Sequence, residues 1–143
     1  MSLADPTTAA CAAQLRTVRR LIDDVWNLGH LELLTDLVSE GYVGHLPIGD
    51  HYGPQGLRID IAAYRAALPD LVVTLEDLMS AGDRVARRYT LSGTHCERFM
   101  GIAATGLAVE LHAIAIDRMA DGKLIESWVQ IDPFPAIHSQ PSK

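Results

Sequence analysis

Six histidines and eighteen acidic side chains supply the titratable groups of this chain, and the useful question is which of them local patterning can hold in an apolar place. A carboxyl group becomes a proton carrier near neutral pH when burial raises its pKa. Strand alternation puts Asp117 on one face with Val109, Leu111, Ala113 and Ala115, so it either enters a cavity as an acid/base group or sits at the sheet rim beside Arg118 in solvent. Asp132, just before Pro133, either closes that cavity or caps the last strand. His45 leaves the second helix for a loop; there it presents a ring nitrogen as base or donor, or it satisfies loop backbone groups. His95, after Gly93-Thr94, faces either the mouth of a cavity or solvent. His112 has the opposite strand parity from Asp117, so one of the two faces away from a ligand unless a bulge intervenes. His30, His51 and His138 fall at segment ends or in loops and are expected to be solvated.

Several chemistries are excluded by pattern. The histidines show no HxH or HxxxH spacing, which leaves no argument for a metal site. No Gly-x-Ser-x-Gly elbow, phosphate loop or dinucleotide fingerprint appears, so no cofactor is implied. Cys11 and Cys96 match no metal or redox spacing and read as free thiols of a cytoplasmic protein. A formal charge of -6 without a basic cluster argues against nucleic acid. No apolar run approaches the roughly 18 residues of a membrane span. The aromatics Tyr42, Tyr64, Tyr89, Trp26, Trp128 and Phe134 offer a wall for a small hydrophobic ligand. Tyr89 and Trp128, on central strands, are expected to line it, Trp26 to pack on the first helix, and Arg87 to point outward.

These residues need elements to position them. At 143 residues and 48% hydrophobic, the chain fits a single domain over 1–143, with a core of about 13–132 and loosely ordered ends. Asp5-Pro6 opens a helix over 6–28, carried by Leu15, Val18, Ile22, Val25 and Trp26. Leu31 to Val38 forms a short second helix, and a loop with Pro47, Gly49, Gly53 and Pro54 follows. Leu57, Ile61, Tyr64 and Leu68 mark a third helix from Pro54, closed by Pro69. The period then drops to two in four strands: 71–76, 84–91, 108–119 and 124–132, joined by Ala81-Gly82-Asp83 and Ala120-Asp121-Gly122. Helices first and strands afterwards predict an α+β fold, with helices on one face of a bent antiparallel sheet.

Across residues 13 to 132 the chain resembles the SnoaL-like polyketide cyclase family of the nuclear transport factor 2-like (cystatin-like) superfamily. The motifs that carry the resemblance are Tyr42-Val43-Gly44-His45, Gly53-Pro54-Gln55-Gly56-Leu57, Leu68-Pro69-Asp70-Leu71, Ala81-Gly82-Asp83-Arg84-Val85, Ser92-Gly93-Thr94-His95, Thr105-Gly106, Asp121-Gly122-Lys123-Leu124-Ile125-Glu126, and Trp128 with Asp132. The resemblance implies a cone-shaped α+β barrel, a strongly curved sheet with three to four helices, ligand inside, and a homodimer. It implies a cofactor-independent cyclase or isomerase acting on a polyketide-like or terpenoid-like metabolite. Asp117, His45, His95 and Asp132 are then catalytic candidates, with Tyr42, Tyr89, Trp128, His112, Trp26 and Phe134 around the substrate. The family's frequent acid/base aspartate follows the tryptophan of the last strand, and Val129 stands there in this chain. That departure keeps two other readings open: a non-catalytic binding or dimeric scaffold module, and an epoxide hydrolase or epoxide-opening cyclase using two carboxylates.

Overall fold

Every second residue from Val109 to Met119 is buried while the residues between them are half-buried or exposed, so the alternation read from sequence is a true two-faced strand. The computed structural model describes residues 6–47 and 49–133; Phe134 and His138 lie outside the described residues. Six strands form one sheet: β1 (Val38–Leu46), β2 (Gly49–Tyr52), β3 (Val72–Ala81), β4 (Arg84–Thr94), β5 (Ala108–Ala120) and β6 (Lys123–Ile131). Their order is β2-β1-β6-β5-β4-β3.

The four expected strands are present, and two more replace the expected loop. β1 and β2 form a hairpin, and β1 runs parallel to β6 with Val43 opposite Glu126 and His45 opposite Trp128. The sheet is therefore mixed. Interruptions at Gly41 and Gly44 hide the alternation of β1, and its pairing partner lies at the far end of the chain, where local propensity carries no information. Register irregularities at Leu75/Asp77, Arg118/Met119 and Val38/Val43 bend the sheet, as bulges do.

The concave face is covered by α1 (Pro6–Arg20), α2 (Leu34–Leu37) and α3 (Gly53–Ala67). The expected 6–28 helix is α only to Arg20; Leu21–Trp26 is π-helical, and Leu31–Leu33 is a 3-10 turn ahead of α2. Val18, Leu21, Ile22 and Val25 meet Leu57, Ile61 and Tyr64 over the inward residues Val85, Leu91 and Leu111. The π turn is fastened at its end. Asn27 accepts from the Val73 N–H at 2.7 Å and donates to the Val73 carbonyl at 2.9 Å, while Arg65 Nη1 donates to the Trp26 carbonyl at 2.6 Å. Among the described residues, no helix is long and apolar enough to cross a membrane.

Candidate active site

A concavity opens where the π turn and α3 lie over the sheet. Leu21 and Trp26 come from the π turn, Leu57, Asp60 and Tyr64 from α3, and Tyr42 and Leu46 from β1; Arg87, Tyr89, Leu91, Val129 and Ile131 form the sheet side, with Pro47 at the end of β1. With its mouth the concavity spans about 500 Å³, but side chains leave only about 30 Å³ of cavity. That is room for one or two waters. Trp26 and Tyr64 meet edge-on at 5.5 Å between ring centres, and Phe99 packs on Tyr64 at 4.7 Å.

The carboxyl group in this pocket is Asp60, a residue that strand and motif reading passed over. Its side chain is buried and accepts no hydrogen bond among the described residues. Burial pushes its pKa up to about 6, and the nearby His51 pulls it partly back. A buried carboxyl without donors favours its neutral form because desolvation penalises only the charged one. The sequence did hold a signal. Leu57, Ile61, Tyr64 and Leu68 define the apolar stripe of α3, and position 60 lies on it, three after Leu57 and four before Tyr64; an aspartate at a stripe position marks a site worth inspecting.

A second polar group is built into the sheet side. Arg87 shares its inward parity with Val85, Tyr89 and Leu91 and is buried, contrary to the outward expectation. Its charge is met there: Nε donates to Asp117 Oδ2 at 2.8 Å and Nη2 to Oδ1 at 3.0 Å. Ser127 Oγ donates to Asp117 Oδ1 at 2.6 Å, and Tyr42 is hydrogen-bonded to Ser127 in turn. The Arg87 guanidinium also lies 4.9 Å from the Tyr89 ring centre. Burial pushes the Tyr42 phenol up to about 12 and raises those of Tyr64 and Tyr89. All three remain neutral hydrogen-bond donors at any working pH.

The structure separates the other expected site residues. Asp117 faces inward and is fully buried, but both its oxygens are occupied by Arg87 and Ser127. Asp132 Oδ2 accepts from the His112 N–H at 2.9 Å, so it closes the β5–β6 end. His95 is buried outside the pocket and joins the ends of the β4–β5 loop, with Nδ1 3.1 Å from Thr105 Oγ1 and its carbonyl accepting from Gly106 at 2.9 Å. Three residues expected near ligand lie on the opposite face of the sheet. His45 is held there between Glu126 at 2.7 Å and Asp50 at 3.1 Å, and these two carboxylates raise its pKa. Trp128 stacks on His45 at 5.6 Å and lies 5.2 Å from Arg84; strand parity turns Val129 into the pocket and Trp128 out of it. His112 is exposed beside Glu110. Tyr42, Tyr89 and Trp26 line the pocket. His51 is half-buried with its Nδ1 atom buried, a correction to its expected solvation. Among the described residues no three His, Cys, Asp or Glu side chains are grouped to hold a metal.

A family model described as SnoaL-like polyketide cyclase matches residues 16–138. The chain belongs to this family. IdmH of Streptomyces antibioticus, named a candidate polyketide cyclase, is similar at 31% identity and TM-score 0.73, over 83% of this chain and 91% of its own. AclR of Streptomyces galilaeus, named a candidate hydroxylase, is similar at 27% identity and TM-score 0.75, over 87% and 92%. A candidate SnoaL-like polyketide cyclase from Jannaschia sp. CCS1 shares the fold at 22% identity and TM-score 0.82, over 99% and 100%. No curated protein matches the chain. Val129 from β6 and Asp60 from α3 both line the pocket.

Proposed function

We propose that this SnoaL-like protein is a cofactor-independent enzyme that cyclises or isomerises a small hydrophobic carbonyl compound by acid/base catalysis, with Asp60 as the proton carrier. The observation that carries the reading is one buried carboxyl in an aromatic-lined pocket with its pKa near 6, close to the optimum for moving protons at neutral pH. As carboxylate, Asp60 takes a proton from the carbon beside a carbonyl. The C–H electron pair moves into the new C=C bond and the carbonyl pair onto oxygen, where a neutral phenol of Tyr42, Tyr64 or Tyr89 donates a hydrogen bond. In a cyclisation the enolate carbon attacks a second carbonyl, and Asp60 returns its proton to the resulting alkoxide; in an isomerisation the proton returns to another carbon. Asp117 serves this site indirectly, by countering the charge of Arg87.

The small closed volume means that substrate entry must displace side chains, and Leu46, Pro47 and Ile131 are the least buried of the lining. The test is turnover of a panel of aromatic polyketide esters, steroids and terpenoid epoxides by the wild type and Asp60→Asn. A loss of roughly 10²–10⁴-fold is expected; equal turnover would remove Asp60 from the chemistry. Val129 supports the alternative of a binding module, which predicts thermal stabilisation by a panel member with no product. Epoxide opening by two carboxylates is less well supported, since Asp117 is engaged by Arg87 and Asp132 by the strand end.

We also propose a homodimer through the outer sheet face. Met79, Ala86, Ile116 and Trp128 are cross-strand neighbours in one row, and Met79, Ile116 and Trp128 are exposed. Charges flank the row on both sides, Asp77 with Arg88 and Arg118 with Glu126, as suits a patch that meets its own copy about a two-fold axis. The free thiols of Cys11 and Cys96 support a cytoplasmic location.

A further inference from the structure

We propose that His51 is a positioning residue for Asp60, the two forming an electrostatically coupled pair across the junction of β2 and α3. The inference rests on Asp60 being the acid/base group, and it adds a residue that no family motif marks.

The geometry begins at the β1–β2 hairpin. His51 is directly opposite Gly44, and Gly44 is buried on the inward side of β1. Directly opposed residues of an antiparallel pair share a face, so the His51 side chain is directed toward the helices. On α3 it meets Gly56: a Cβ there would lie 3.1 Å from both the Cβ and the carbonyl carbon of His51. A side chain there would press β2 back from the helix by a few tenths of an ångström. Asp60 stands four residues after Gly56, one turn further along the same helix face. His51 Nδ1 is buried and finds no hydrogen-bond partner among the described residues, while the residue as a whole is half-buried. The ring thus has a polar atom inside the fold and a partial path to water.

The other charged and titratable groups around Asp60 do not change state in the working range. Arg87, from β4, is paired to Asp117 through two hydrogen bonds. Tyr42 from β1, Tyr89 from β4 and Tyr64 from α3 are held neutral, their phenols raised by burial. His51 is the neighbour whose charge draws Asp60 down against its burial. As imidazolium it favours the carboxylate that abstracts a proton; as neutral imidazole it lets Asp60 hold one.

Carboxyl NMR titrations of the full chain test this without a substrate. In His51→Gln, Asp60 should titrate higher by roughly half a unit or more. His51→Lys, which keeps a positive charge through neutral pH, should hold Asp60 at or below its wild-type value. On any substrate that is turned over, His51→Gln should move the acid limb of the pH profile upward by the same shift. A folded His51→Gln protein with Asp60 unmoved would overturn the pairing and leave Asp60 as acid/base group intact. Titration of wild-type Asp60 near its ordinary 3.8 instead of about 6 would overturn the acid/base reading itself.

Discussion

At pH 7 Asp60 is a carboxylate in a pocket that prefers the neutral acid, and that mismatch has a thermodynamic signature. Its pKa is raised in the folded state from 3.8 to about 6, so its favourable contribution is full below the unfolded value and is lost as pH rises through the folded one. Asp60→Asn should therefore stabilise the protein at pH 7 by on the order of 2–3 kcal/mol and change it little at pH 3.5. Denaturant unfolding at the two pH values checks this; equal effects at both would show that Asp60 is not shifted. Asp117 predicts the reverse. Asp117→Ala leaves the buried Arg87 guanidinium without its partner, which costs about 3–5 kcal/mol, whereas Asp117→Leu combined with Arg87→Met should recover much of that loss. Urea midpoints of the single and double variants separate an ion pair that holds the wall from a carboxylate that does chemistry.

Among the elements, β1 does the most to shape the pocket and is the hardest to read. Its inward residues are Tyr42, Gly44 and Leu46, and a Cβ on Gly44 would lie 2.8 Å from the Tyr42 hydroxyl. Gly44→Ala should push the Tyr42 ring from Ser127 and cost about 1–3 kcal/mol, as overpacking does; a thermal melt measures it, and an unchanged midpoint would show that the ring shifts freely. The π turn acts in the same way at the other wall, since it brings both Leu21 and Trp26 to the pocket where an uninterrupted α-helix was expected. By contrast α3 was readable almost to the residue, because Leu57, Ile61, Tyr64 and Leu68 repeat at helical spacing and Pro54 and Pro69 bracket them. β4, β5 and β6 were readable because each alternates over a two-faced surface. β1 was not, since its strand character comes from pairing with β6.

For the molecule as a whole, the two faces of the sheet divide the work. Inward residues build the pocket, and the outward row of Met79, Ala86, Ile116 and Trp128 offers the apolar surface of the proposed dimer. Trp128 is held between His45 and Arg84, which limits the entropy it would lose on burial in an interface. Ile116→Asp and Trp128→Lys should each convert a dimer to monomer in light scattering while leaving Asp60 titration unchanged. A wild-type monomer at high micromolar concentration would overturn the dimer.

From the sequence alone came the α+β class, the third helix and four of the strands, because apolar periodicity and turn residues are local signals, while short motifs carried the resemblance to the SnoaL-like family. Parity placed Asp117 on one face with Val109, Leu111, Ala113 and Ala115 without deciding whether that face was the inner one. Which polar groups meet in the pocket was decided only by tertiary structure. Asp60 on a helix, Arg87 and Tyr89 on β4, Tyr42 on β1 and Val129 on β6 become neighbours through a bent, mixed sheet whose parallel β1–β6 pairing joins distant segments. Strand parity put His45, His112 and Trp128 on the outer face. A titratable group acquires its role from desolvation and nearby charge, and both are properties of the packed chain.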